Sequence, residues 1–155
     1  MEYSIEVTGL SETERLANAL EKNIEPGTVI LLSGDLGAGK TTFTQFLGRA
    51  LGVKRRMSSP TFNIIKSYSG KYTIHHMDCY RLEKSDEDLG FDEYFNEDDI
   101  SIVEWPIYIE EFLPDEHFSI RIETLGDEKR RFSFAAKGTA YTRILEALEN
   151  DFPSD

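Results

Sequence analysis

The chain is short of three things. It has one cysteine in 155 residues, Cys79, so no internal disulfide can form and a reducing cytosol is the expected compartment. No run approaches the ~20 consecutive apolar residues of a membrane helix. Met1-Glu2-Tyr3-Ser4 also lacks the basic start and apolar stretch of a signal peptide. Basic residues are scarce as well: 17 Lys and Arg stand against 29 Asp and Glu, a net charge of −12. Such a chain is poorly suited to gripping nucleic acid by itself, because phosphate binding relies on clustered cations. Lys54-Arg55-Arg56 and Lys129-Arg130-Arg131 are local exceptions, and both read as solvated surface. A role near RNA would need another protein to hold the RNA.

What remains is an ordinary globular mixture, 39% hydrophobic and 30% charged, of a length that suits one domain over residues 1–155. Ser11-Glu12-Thr13-Glu14 has capping-box form, and Leu16, Ala17, Leu20 and Ile24 continue it at helical spacing. Thr28 to Ser33 reads as a buried strand and Thr41 to Leu51 as the next helix, ended by Gly52. Phe62 to Tyr68 and Lys71 to Tyr80 read as strands joined at Ser69-Gly70. The acidic stretch Glu83 to Asp99 is partly helical with a break at Gly90, and Ile100 to Glu104 is a short apolar strand. A helix is expected over Ile107 to Phe112, paired strands over Phe118 to Glu123 and Arg131 to Ala136, and a last helix over Thr139 to Leu148. This order predicts an α/β sandwich, with a mixed, largely parallel sheet flanked by helices.

The strongest chemical signal is Gly34-Asp35-Leu36-Gly37-Ala38-Gly39-Lys40-Thr41, which matches G-x-x-x-x-G-K-[ST] between a predicted strand and a predicted helix. Glycines let the backbone curl so that successive N–H groups converge on phosphate oxygens. Lys40 then neutralises the β- and γ-phosphates, the Thr41 hydroxyl ligates Mg²⁺, and the helix N-terminus adds positive potential. With glycine near 7% of residues, the four fixed positions coincide by chance in roughly one chain of this length per few hundred. A site for a nucleoside triphosphate is therefore expected.

Such a loop needs a carboxylate for the metal and a group to place the attacking water. Glu104 closes a short apolar strand and is the better metal carboxylate; Asp78, also at a strand end, either adds a second metal contact or orients the water. His75, His76, Asp78 and Cys79 do not promise a zinc site, since neighbouring strand residues face opposite sides of a sheet.

The loop with Thr42, then Ser59-Pro60-Thr61, His76-Met77-Asp78-Cys79-Tyr80-Arg81-Leu82 and Val103-Glu104-Trp105 together resemble the TsaE (YjeE) family. Gly90-Phe91-Asp92-Glu93-Tyr94-Phe95 resembles a further stretch of it, and the likeness runs from about Pro26 to Pro114. It implies a P-loop ATPase, weak alone, that supports a tRNA-modifying complex with TsaB and TsaD. That complex makes threonylcarbamoyladenosine (t6A37), so tRNA is met only through the partners. By motif, the likeness assigns nucleotide binding to Asp35, Leu36, Gly37, Ala38, Gly39, Lys40, Thr41, Thr42 and Trp105. It assigns Mg²⁺ to Thr41 and Glu104, with Asp78 as a further ligand, and hydrolysis to Asp78, Glu104 and Thr42. Ser59, Pro60 and Thr61 would form a switch-like loop. On general grounds a lone tryptophan after a strand packs in the core; the resemblance instead puts Trp105 beside the nucleotide. Two alternatives are a small-molecule kinase and a regulatory subunit that binds nucleotide without turning it over. A GTPase is disfavoured because no Asn-Lys-x-Asp segment is present to read guanine.

Overall fold

The computed structural model describes residues 1–35, 37–58, 64–83 and 89–153. Leu36 and the Ser59-Pro60-Thr61 segment, together with 62–63 and 84–88, lie outside the described residues.

The first element is one that the sequence reading passed over. Tyr3, Ile5 and Val7 alternate with polar residues, and Glu2–Thr8 forms strand β1, antiparallel to the late strand β7 (Lys129–Lys137). Helix α1 then runs over Gly9–Glu21, starting before the expected cap at Ser11. The Glu12 carboxylate reaches back to accept the Thr8 N–H at 3.0 Å, which moves the capping interaction upstream.

β2 (Val29–Gly34) feeds α2 (Lys40–Ala50) through the glycine loop. β3 (Ile65–Ser69) and β4 (Thr73–Asp78) form the expected hairpin, and β5 is Ile100–Glu104. A four-residue helix, α3 (Phe91–Tyr94), precedes β5. The helix expected over Ile107 to Phe112 is instead 3-10 structure, Pro106–Phe112, with Ile109 outside helical dihedrals. Pro106 and Pro114 bracket a stretch too short to propagate an α-helix. β6 (His117–Thr124) pairs with β7, and α4 (Thr139–Asp151) closes the chain.

The seven strands form one mixed sheet in the order β1-β7-β6-β2-β5-β4-β3. Pairings β6–β2, β2–β5 and β5–β4 are parallel, and the two flanks are antiparallel. The parallel centre is covered on both sides, so β2 and β5 read as continuous apolar runs rather than alternating ones. Ile30, Leu32, Ile100 and Ile102 face the cluster built with α1, α2 and α4; Val29, Leu31 and Val103 face the smaller cluster containing Phe91 and Ile109. Phe43 of α2 packs against Phe132 of β7 at 5.2 Å between ring centres, tying the helix after the loop to the far side of the sheet. No helix among the described residues is long and apolar enough to cross a membrane.

Candidate nucleotide-binding site

Ligands of open α/β sheets collect at the carboxyl ends of the parallel strands. Here those ends are Gly34 of β2, Asp78 of β4 and Glu104 of β5. Register aligns them: Glu104 lies opposite Leu32 on one side and Asp78 on the other. Two carboxylates 26 positions apart in sequence thus come side by side on neighbouring strands.

The loop leaves β2 where no side chain fits. A Cβ on Gly34 would stand 2.4 Å from the Ile122 carbonyl oxygen of β6. Gly39, at φ 102°, takes the left-handed conformation that turns the chain into α2 and offers no capping side chain. The first-turn amides of α2 therefore open towards the loop, the arrangement that suits an anion.

Lys40 opens α2 and is buried, with its ammonium 4.6 Å from the centre of the Trp105 ring. Trp105 follows β5 at φ 56°, ψ 51°, a strained backbone for a non-glycine residue and one that is common at functional sites. That turn lays the indole against Tyr80 and Tyr108, with centres 4.9 and 5.9 Å away. The indole is half-buried at the lip of a cleft of about 540 Å³, lined also by Gly34, Lys40, Ile107 and Lys137. It is not a deep core residue.

Glu104 is buried and accepts a 2.6 Å hydrogen bond from His76 Nε2. A carboxylate can only accept, so this contact places the imidazole proton on Nε2. Among the described residues His76 Nδ1 has no hydrogen-bond partner, and neither does Thr44 Oγ1. The sequence reading weighed His76 only as a zinc ligand and missed this contact. The usable signal was spacing, because His76 lies two residues before Asp78 and so on the same face of β4. His75 faces the other way and contacts Asp99 Oδ2 at 2.8 Å and Ser67 Oγ at 2.7 Å. Hydrogen bonds from Asn96 first and His75 second hold the Asp99 carboxyl below its ordinary range.

Asp78 Oδ1 accepts the Tyr80 N–H at 3.1 Å. Thr41 is exposed on the first turn of α2. Thr42 lines a separate hollow of about 220 Å³ with Gly37, Ala38, Gly39 and Arg130. Within the triplet at 129–131, Lys129 and Arg131 are solvated as expected, with side chains 51% and 40% exposed, and Arg130 is the exception. Lys129 and Arg131 both pair with Glu6 at 3.2 Å, and Arg130 turns inward onto the loop. The ion pairs follow from β1, which brings Glu6 opposite Arg131.

Cys79 is fully buried, and its thiol is pushed up to about 12, first by burial and then by the charges of Asp78 and Glu104. The thiolate is the reactive form, so at neutral pH the native protein should leave Ellman's reagent unreacted. One equivalent of thiol should react only after denaturation. Rapid reaction of the native protein would show that the β4 end opens to solvent.

A central parallel strand that runs through a glycine loop into a lysine-led helix, under flanking helices, is a P-loop NTPase-like α/β fold. Comparison with known proteins narrows that class. Residues 7–132 match the profile of a family described as threonylcarbamoyl adenosine biosynthesis protein TsaE. The tRNA threonylcarbamoyladenosine biosynthesis protein TsaE of Bacillus subtilis is 46% identical over 138 residues, 88% of this chain and 87% of that one. The Rickettsia felis protein of the same name is 37% identical over 137 residues, 86% of this chain and 80% of that one. The crystal structure of Bacillus subtilis YdiB superposes with a TM-score of 0.83 at 38% identity, covering 97% of this chain and 95% of that one. The chain belongs to the TsaE family, whose role is threonylcarbamoyladenosine modification of tRNA.

Proposed function

We propose that this chain binds ATP with Mg²⁺ and hydrolyses it, weakly alone, in support of a cytosolic t6A-modifying complex with TsaB and TsaD partners. The observation that carries the reading is the meeting of Lys40, the open N-terminus of α2 and Trp105 at the strand ends where Asp78 and Glu104 lie side by side. Lys40 and the loop amides bind the polyphosphate, and the cleft beside Trp105 takes the rest of the nucleotide. The Thr41 hydroxyl and the Glu104 carboxylate are hard oxygen donors, the chemistry that Mg²⁺ requires. When bound, Mg²⁺ neutralises phosphate charge that builds up during transfer. Asp78 orients the attacking water, and His76 holds the Glu104 carboxylate in place. Ser59, Pro60 and Thr61 form the switch-like segment, and Thr42 contributes to hydrolysis. The strong negative charge of the chain agrees with contact to tRNA through partner proteins and not directly.

Titrating ADP and ATP with Mg²⁺ while following the emission of the single tryptophan tests this. The wild type should show a saturable change, and Lys40→Ala should need at least about tenfold more nucleotide, the worth of a lost charge-assisted contact. An unchanged spectrum, or equal affinity in Lys40→Ala, would remove the nucleotide from this cleft. Reconstituted tRNA modification with both partners, comparing ATP with a non-hydrolysable analogue, tests the role in turnover.

A further inference from the structure

Arg130 uses its guanidinium on backbone oxygens. Its Nε donates to the Ala38 carbonyl at 3.1 Å, and one terminal nitrogen donates to Gly126 O at 2.9 Å and Lys129 O at 3.0 Å, with a 3.5 Å contact to Asp127 O. Among the described ion pairs it takes no part, whereas Lys129 and Arg131 are both paired with Glu6. The strand beneath it is held on both sides, Arg130 lying opposite Val7 of β1 and Thr124 of β6. A planar donor pinned by the carbonyls of its own hairpin meets the phosphate loop in a fixed orientation.

The carbonyl it meets belongs to a peptide that has little else to orient it. Ala38 stands between Gly37 at φ 79° and Gly39 at φ 102°, and glycine lets the Ala38–Gly39 peptide rotate at small steric cost. All peptide bonds in the described chain are trans. Across a trans peptide the C=O and N–H vectors are opposed, so a carbonyl drawn towards Arg130 turns the Gly39 N–H away from the hairpin. A flipped peptide would show an oxygen where an amide hydrogen is needed, and repel phosphate. A cation on the carbonyl also polarises the peptide, making its N–H a better donor.

We propose that Arg130 is a positioning residue of the phosphate loop, fixing the Ala38–Gly39 peptide so that the Gly39 N–H is presented to a bound polyphosphate. The proposal rests on the nucleotide reading above and adds a contact between residues 92 positions apart. Isotope-labelled full-length protein titrated with inorganic pyrophosphate and with ADP tests it. In the wild type, both ligands bind and the Gly39 amide resonance moves downfield. In Arg130→Ala, affinity for both falls roughly tenfold and the Gly39 shift is largely lost, while amides of β1, β6 and β7 keep their positions. Arg130→Lys retains the charge without the planar Nε donor and behaves like Arg130→Ala; it also carries the test if the alanine variant fails to fold. Wild-type affinity and Gly39 shift in Arg130→Lys would mean that charge alone matters and would overturn the proposal. A lower melting temperature with an unchanged Gly39 shift would overturn it too. If the wild type binds neither ligand, the nucleotide reading itself fails, and this proposal with it.

Discussion

Glu104→Gln and Asp78→Asn should each give a folded protein that still binds nucleotide but hydrolyses it about 10²–10³-fold more slowly, the usual worth of one placed electrostatic or positioning group. The amide variants are chosen for what surrounds each carboxylate. Glu104 is buried and accepts from His76 Nε2, and glutamine keeps an acceptor oxygen there. Alanine at 104 would leave a buried imidazole with both nitrogens unpaired, adding a stability cost of ~1–3 kcal/mol that confuses the readout. Asp78 accepts the Tyr80 N–H, a role asparagine can also fill. The two variants should differ in their need for metal: Glu104→Gln should raise the Mg²⁺ concentration for half-maximal binding, whereas Asp78→Asn should affect mainly the turnover step. Phosphate release in the presence of the partners, with melting curves as controls, measures both. Turnover like the wild type in Glu104→Gln would exclude that carboxylate from the mechanism.

The largest expected stability effect lies at the first residue of the loop. Gly34→Ala would put a methyl group 2.4 Å from the Ile122 carbonyl oxygen, inside any normal contact distance. The obstacle is backbone in β6, which is paired to β2 and to β7 and cannot rotate aside as a side chain would. Overpacking and an unfavourable φ of 149° together should cost roughly 3–5 kcal/mol. That is a large share of the ~5–15 kcal/mol that holds a typical domain together, and corresponds to a fall in melting temperature on the order of 10 °C. Gly126→Ala is the matched control, because nothing lies within 4 Å of its added Cβ. Equal melting temperatures for the two variants would show that β2 and β6 can separate at their carboxyl ends.

Both expectations begin in features that differ in how readable they were. Gly34 is a motif position, and its need for a bare backbone was expected for phosphate; the structure shows that a neighbouring strand imposes the same demand independently. Asp78 and Glu104 were picked out as strand ends, and strand ends are local. Their side-by-side placement depends on parallel register between β4 and β5, which no window of sequence encodes. β1 is legible in the alternation of Tyr3, Ile5 and Val7, but its partner β7 lies more than 120 positions away, so nothing local shows that the strand is paired. Its omission left the partner of Lys129 and Arg131 unforeseen, because Glu6 sits on that strand.

By itself the sequence determined the strand, glycine loop and helix, the acidic character of the surface and the family, because each is written in contiguous residues or in motifs of set order. Only the tertiary structure decided that Glu104 is bonded to His76 across 28 positions and that Trp105 lies over Lys40. It also decided that Arg130 reaches the Ala38 carbonyl. The physical reason is common to all three. Sheet order and register bring distant side chains within hydrogen-bonding or ring-contact range, and they are set by the burial of the whole apolar surface, not by the residues that meet.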